Sequence, residues 1–166
     1  MNKLFRTGDG KTVTYAEVIK IIADYIKSKP DYSYELTVGT DSQTNKNTKM
    51  AEVIVARRIG AGGIFFYRTE VLPVIKDLRT KIFEETSRSL ENADGLLEYV
   101  ELSLLDDGID IDKLDIGIII HCDVGSVGET KSLVRDVVGW VESLGYKWET
   151  KPDSYASSCV ADRLSK

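Results

Sequence analysis

One short buried strand, followed by polar turn residues, constrains this chain more than any other segment. Residues 34–43 read Tyr-Glu-Leu-Thr-Val-Gly-Thr-Asp-Ser-Gln, with Leu36 and Val38 at the two-residue spacing of a strand. Asp41 and Ser42 follow, and side chains of these types can bond their own backbone in a turn. The pattern predicts that Asp41 lies where a strand of an open α/β sheet ends, the usual place for ligand chemistry.

A second buried strand predicts a second acidic strand end. Residues 114–122 are mostly apolar, and Asp123 follows them directly. Two acidic strand ends in a small domain favour a divalent-cation site, because Mg²⁺ and Mn²⁺ prefer hard oxygen ligands. Either aspartate taken alone is better explained as the cap of a turn.

The size and composition are those of an ordinary globular protein. The 166 residues suit one domain spanning 1–166, and 42% of them are hydrophobic and 30% charged. No apolar run approaches the roughly 20 residues of a membrane span, and the first residues lack a signal-peptide core. Cys122 and Cys159 form no ligand-spaced motif, so we expect reduced thiols in a cytoplasmic protein without a membrane segment.

The predicted elements alternate in a way that narrows the fold. Thr14 and Glu17 form a capping-box pattern that opens a helix, and this helix ends at Lys29-Pro30. Residues 1–30, an extended lead-in and this helix, are an addition to the core. The core elements follow in chain order: strands to Asp41, over 50–59 and over 64–72; a helix over 78–105, broken near Asp94-Gly95; a strand to Asp123; a helix over 133–144; a strand over 146–150; and a last helix from about 154.

This order resembles the ribonuclease H fold. It predicts an α/β domain with a mixed five-stranded sheet, three antiparallel strands followed by two parallel ones, flanked by helices. Right-handed crossovers would return the Asp123 strand beside the Asp41 strand and bring the two carboxylates together.

Four sequence motifs make the resemblance more specific. They are Val-Gly-Thr-Asp-Ser-Gln at 38–43, His-Cys-Asp-Val-Gly at 121–125, Gly-Trp-Val-Glu-Ser at 139–143 and Lys-Pro-Asp-Ser-Tyr-Ala-Ser-Ser-Cys-Val-Ala-Asp-Arg at 151–163. Together they resemble the YkuK-type family of largely uncharacterised bacterial RNase H-like proteins. The resemblance extends from about Thr14 onward. It implies the RNase H fold and an acidic metal site, and it brings no demonstrated substrate.

RNase H-like nucleases use about four acidic residues, and the resemblance suggests positions for them. Asp41 and Asp123 match the acids of the first and fourth core strands. For the acid of the following helix, Glu84 has Arg88 four residues on and fits a solvated ion-pair face. Glu85 shares a face with apolar side chains, the side expected to pack on the sheet, so we choose Glu85.

The acid of the last helix has two candidates. Asp162 matches the place where this fold keeps its final acid, although it could equally be a surface residue paired with Lys166. Asp153 follows Pro152, where a helix cap belongs. We therefore assign Asp162 as ligand and Asp153 as cap.

The function implied by this resemblance is a metal-dependent nuclease. Asp41, Glu85, Asp123 and Asp162 would be the catalytic residues and would hold two Mg²⁺ or Mn²⁺ ions that promote phosphodiester hydrolysis of RNA, DNA or a hybrid. Ser42, His121 and Lys151 are candidates to support these ligands, although a lone histidine on an apolar strand is more often a packing residue.

Two observations keep other functions open. The net charge of −5 argues against strong non-specific DNA binding, although the carboxylates of a nuclease would supply part of it. The alternative is a non-catalytic RNase H-like module that binds nucleic acid or a protein. Residues 125–132 resemble a phosphate-binding loop, but Thr130 stands where that motif needs a glycine before Lys131.

Overall fold

The computed structural model describes residues 2–125, 128 and 130–151, with the backbone alone at Lys151. It contains seven strands, four α-helices and two short 3-10 turns within these ranges. The strands are β1 Leu4–Thr7, β2 Thr12–Thr14, β3 Ser33–Thr44, β4 Thr48–Arg58, β5 Gly63–Leu72, β6 Asp115–Gly125 and β7 Lys147–Lys151. The helices are α1 Tyr15–Ser28, α2 Leu78–Ala93, α3 Leu96–Asp106 and α4 Val134–Ser143, and the 3-10 turns are Ile111–Lys113 and Lys131–Leu133.

All seven strands form one mixed sheet, in the spatial order β2-β1-β5-β4-β3-β6-β7. β3, β4 and β5 are antiparallel neighbours, and β6 and β7 continue the sheet in parallel from β3. The predicted order of the α/β core is therefore present, but the predicted number of five strands was wrong. The lead-in folds as a hairpin, β1 and β2, that pairs with β5 and extends the sheet to seven.

The four helices pack on one face of this sheet, which we call the helical face. Leu36, Val38, Ile54 and Ile120 point to that face and join the buried residues of the helices in one hydrophobic core. The alternate residues of β4, Ala51, Val53 and Val55, form a separate buried cluster on the opposite face. No helix in the described part of the chain is both long enough and apolar enough to cross a membrane.

Local signals explain where the helices begin and end. Thr14 accepts from the Glu17 backbone, and the Glu17 side chain accepts from the Thr14 backbone, which completes the predicted capping box of α1. Asp77 caps α2 through the Thr80 backbone. The predicted break falls at Gly95, whose φ of 72° is left-handed and separates α2 from α3.

Both acidic strands run further than the sequence predicted. Asp41 and Asp123 lie inside β3 and β6, three residues and two residues before the strands end. The error at β3 comes from reading Asp41 and Ser42 as turn residues, whereas both pair with β4 in an unbroken antiparallel ladder. The predicted helix from about residue 154 lies outside the described residues.

A charged cluster lies beneath α2, on the helical face. Glu52 of β4 is fully buried, and its carboxylate accepts from Lys3 at 2.8 Å, Arg68 at 2.5 Å, Arg88 at 3.1 Å and Asn92 at 2.9 Å. These four donors come from the N-terminal segment, β5 and α2. The cluster therefore fastens the helix and the added hairpin to the centre of the sheet.

Candidate metal centre

The two aspartates stand just beyond the point where the parallel strands stop pairing. The β3–β6 ladder ends at the pair Gly39 and His121. Asp41 and Asp123 each lie two residues further along, on corresponding positions of the two strands. Side chains two residues apart on a strand point to the same face of the sheet. Asp41 and Asp123 therefore share the face of Gly39 and His121, which is opposite the helices. The end of the ladder therefore places two carboxylates side by side.

Helix α2 supplies a third carboxylate from the helical face. Its register is set in part by a buried hydroxyl pair, Thr40 Oγ1 and Ser89 Oγ, which lie 2.8 Å apart. One turn earlier, Glu85 is 4% exposed and its Oε1 accepts from the Ser42 hydroxyl at 2.5 Å. The Ser42 backbone N–H donates to Asp41 Oδ1 at 2.9 Å. Ser42 therefore contacts two of the three acids.

Asp41, Glu85 and Asp123 form a compact acidic cluster. One carboxylate oxygen from each lies within 4.8 Å of the others, and Asp41 and Glu85 are buried while Asp123 is half-buried. Burial raises the pKa of Glu85 well above its ordinary value, and the charges of Asp123 and Asp41 raise it further; the Ser42 hydrogen bond and Lys81 oppose this. The cluster therefore favours a proton or a cation over three bare negative charges.

The donor set fits a divalent cation. All three side chains offer hard carboxylate oxygens from three different elements of the fold, β3, α2 and β6. Glu85 Oε2 is buried and accepts no hydrogen bond from the residues that the structure describes. A buried carboxylate oxygen left without a donor is costly, and a bound cation would remove that cost.

The neighbouring glutamate points elsewhere. Glu84 Oε1 lies 2.9 Å from Arg88 Nε, four residues along α2, and the Glu84 side chain is 40% exposed. This is the surface pair expected from the sequence, and the structure does not bring Glu84 into the acidic cluster. Asp153 and Asp162, the two candidates for the final acid, lie outside the described residues, as does the side chain of Lys151.

His121 and Cys122 are buried beside the cluster. His121 is 2% exposed, and burial lowers the pKa of its imidazole to about 4, so the ring is neutral near pH 7. Burial, and then the charge of Asp123, raise the pKa of the Cys122 thiol to about 12. Cys122 is a free and buried thiol, as expected for a reduced core cysteine. Cys159 lies outside the described residues.

Two groups of polar residues that position the cluster were not predicted from the sequence. Thr40 and Ser89 lie on the helical face between β3 and α2, and only the α2 periodicity pointed to Ser89. Glu52 gave a clearer signal, because it stands within Met-Ala-Glu-Val-Ile-Val, an apolar run of a central strand. A glutamate in such a place needs buried counter-charges.

The family model described as Ribonuclease H-like matches residues 17–166, and the chain belongs to this family. A Bacillus subtilis (strain 168) protein named "Uncharacterized protein YkuK" is 33% identical over 162 residues, covering 93% of this chain and 92% of the relative. The family is therefore the YkuK type of RNase H-like proteins that the motifs indicated.

A solved structure also resembles the chain. The catalytic domain of the Mos1 mariner transposase is 12% identical, with a TM-score of 0.32, over 90% of this chain and 67% of the other.

Proposed function

We propose that this protein is a metal-dependent nuclease that hydrolyses phosphodiester bonds of RNA, DNA or an RNA/DNA hybrid. The observation that carries the proposal is the meeting of Asp41, Glu85 and Asp123 within 4.8 Å, with Glu85 Oε2 buried and lacking a donor among the described residues. Membership of the RNase H-like family supports the choice of nucleic acid as substrate.

The three carboxylates would hold Mg²⁺ or Mn²⁺, and Asp162, from the residues beyond Lys151, is the proposed fourth ligand. Bound divalent ions, two in our proposal, lower the pKa of water and stabilise charge on a leaving oxygen, so that no nucleophilic side chain is needed.

The residues of the chain have separate tasks in this scheme. Asp41 is carried on β3, where its backbone pairs with Ala51 of β4 just beyond the end of the ladder with β6. Ser42 orients Glu85 through its hydroxyl and Asp41 through its backbone N–H. His121 remains neutral and adds no positive charge, which favours a cation in the cluster. Lys151 is proposed as a supporting residue from its sequence position alone.

The test begins with calorimetric titration of Mn²⁺ and Mg²⁺ into the wild type, Asp41→Asn and Glu84→Gln. Asp41→Asn removes a ligand charge, and Glu84→Gln makes the same chemical change on α2 outside the cluster. We expect binding by the wild type and Glu84→Gln and its loss in Asp41→Asn. Labelled RNA, DNA and hybrid strands are then incubated with each protein in the metal that binds.

The outcomes separate the proposed nuclease from its alternative. Cleavage by the wild type and Glu84→Gln, with none by Asp41→Asn, supports the nuclease. Absence of binding at millimolar metal rejects it. Metal binding or nucleic-acid binding without cleavage of any of the three substrates would instead favour a non-catalytic RNase H-like binding module.

A further inference from the structure

A large open groove lies where the added hairpin leaves the sheet, some distance from the acidic cluster. β1 pairs with β5 only at Arg6–Tyr67 and Thr7–Phe66, so the segment before Arg6 separates from the end of β5. The cavity between them has a volume of about 800 Å³. Its described lining comprises Asn2, Lys3, Leu4, Phe5, Arg6, Thr12, Lys49, Tyr67, Arg68 and Thr69.

The charge of this groove is opposite to that of the whole chain. Its described lining contains four basic residues and no acidic one, in a protein of net charge −5. Lys3 and Arg68 pair with Glu52 behind the groove wall. Arg6 is exposed, and no carboxylate among the described residues forms an ion pair with it. Glu52 therefore neutralises part of the charge of Lys3 and Arg68, and the exposed Arg6 is the groove residue that we expect to contact phosphate groups.

The groove also contains an aromatic surface. Tyr67 lines it, half-buried, and its ring stacks on Phe65 with 6.2 Å between centroids and 30° between planes. Packing against Phe65 holds the Tyr67 ring in place. Grooves that bind single-stranded nucleic acid combine two features. Basic residues contact the sugar-phosphate backbone, and aromatic rings beside them stack on the bases.

The sheet register connects the groove with the acidic cluster. Arg6 of β1 pairs with Tyr67 of β5, which in turn pairs with Val53 of β4. Val53 pairs with Gly39 of β3, and Gly39 lies two residues before Asp41. With the usual strand spacing and rise, Arg6 lies about 16 Å from Asp41 between Cα atoms. Lys49, two residues from the partner of Asp41, lies about 8 Å away. The side chains of Arg6, Tyr67 and Asp41 therefore lie on the same face of the sheet, whereas Lys3 and Arg68 reach Glu52 on the helical face.

We propose that this groove binds a segment of single-stranded nucleic acid and leads it past Thr69 and Lys49 toward Asp41. The proposal rests on the nuclease function proposed above and adds the form of the substrate and the surface that holds it. One wall, β1, precedes residue 17, where the match to the family model begins. One wall of the groove therefore lies outside the matched region, and β4 and β5 supply the other wall from within it.

The test measures binding of a fluorescein-labelled single strand of about 15 nucleotides by anisotropy, in EDTA, so that neither metal nor cleavage is required. Arg6→Glu reverses the exposed groove charge. Arg57→Glu makes the same change at an exposed position at the far end of β4, outside this groove. Thr69→Glu adds a negative charge to the groove at another exposed position, should Arg6→Glu affect folding.

We expect Arg6→Glu to weaken binding about tenfold and to reduce the slope of log affinity against log salt by about one, whereas Arg57→Glu changes binding less than about twofold. Thr69→Glu should also weaken binding. Any of three results would overturn the proposal. They are equal effects of Arg6→Glu and Arg57→Glu, equal affinity for a duplex of the same length, and no binding of the strand by the wild type. Metal binding is measured separately by the calorimetric titration, so loss of metal binding and loss of strand binding are separate results.

Discussion

The Ser42 hydroxyl donates a 2.5 Å hydrogen bond to Glu85 Oε1 and so joins β3 to α2 at the acidic cluster. The backbone N–H of the same residue donates to Asp41 Oδ1. One small residue therefore fixes the carboxylates of two neighbouring elements. The Ser42 hydroxyl bonds Oε1 alone, so Glu85 Oε2, which has no donor among the described residues, is available to a cation.

Ser42→Ala should weaken Mn²⁺ binding without abolishing it. All proposed ligands remain, but Glu85 Oε1 loses the donor that orients it, and loss of such a partner typically costs about 10-fold to 100-fold in metal affinity. Ser42→Thr keeps the hydroxyl and is the matched control, expected to bind within a few-fold of the wild type. Calorimetric titration measures both. Wild-type affinity in Ser42→Ala would show that the hydrogen bond does not position Glu85.

Glu85→Gln should stabilise the metal-free protein. The substitution removes a buried charge from beside Asp41 and Asp123, and a gain of about 1 kcal/mol in the free energy of unfolding is typical when a strained site is relieved. Urea denaturation in EDTA measures it, with Glu84→Gln as the control in the exposed pair. Added Mn²⁺ should raise the stability of the wild type but not of Glu85→Gln.

The advantage of Glu85→Gln should depend on pH. Because the pKa of Glu85 is raised in the folded state, the wild type binds more protons folded than unfolded, and its stability falls as pH rises above the ordinary value of 4.5. The variant lacks this titration, so the difference in free energy of unfolding should grow from acidic to neutral pH. A difference that stays constant with pH, or a variant less stable than the wild type, would show that the charge of Glu85 does not destabilise the folded protein.

Glu52→Gln should be strongly destabilised at neutral pH. Removing one member of a buried ionic cluster leaves Lys3, Arg68 and Arg88 without their shared partner, and such changes typically cost about 3–5 kcal/mol. Glu70→Gln is the control, because Glu70 pairs with Arg88 but its side chain is 40% exposed, and its loss should cost at most about 1 kcal/mol.

The pH dependence at Glu52 has the opposite sign. Burial raises the pKa of Glu52, but the hydrogen bond and charge of Lys3, together with Arg68 and Asn92, outweigh burial and lower it below 4.5. Its stabilisation is complete above 4.5 and is lost as pH falls through the lowered pKa. The gap between the wild type and Glu52→Gln should therefore narrow in strongly acidic urea titrations, and a gap unchanged by acid would count against the assignment.

Arg58→Lys should destabilise the end of α1 by about 2 kcal/mol, because arginine and lysine are not equivalent at a stacked, multiply bonded site. The Arg58 guanidinium lies 4.0 Å from the centroid of the Tyr25 ring and donates to the Tyr34 hydroxyl, the Tyr25 carbonyl and the Ser28 hydroxyl. Thermal unfolding compares it with Arg57→Lys, at the exposed neighbouring position. Equal melting temperatures for the two variants would show that the contacts of Arg58 do not stabilise the end of α1.

Much of the core could be predicted because its signals are local. The capping box of α1, the break at Gly95 and the buried face of α2 that carries Glu85 all follow from spacing along a few residues. The end of the Asp41 strand could not be located in this way. Asp41 and Ser42 are typical turn residues, and it is the long pairing with β4, a contact distant in sequence, that keeps them in a strand.

The remaining misses also depend on distant contacts. β1 and β2 have four and three residues, and each contributes one buried side chain, Phe5 and Val13, too few to show an alternating pattern. The role of Glu52 depends on Lys3 and Arg88, which are far from it in sequence. Spacing within a segment contains no information about such partners.

The link between Lys3 and Glu52 has an evolutionary consequence. Lys3, in the segment just before β1, shares the charge of Glu52 with Arg68 and Arg88. Relatives that lack this segment should therefore carry another donor for the buried carboxylate, or an uncharged residue in place of Glu52. A search for that covariation needs only sequences.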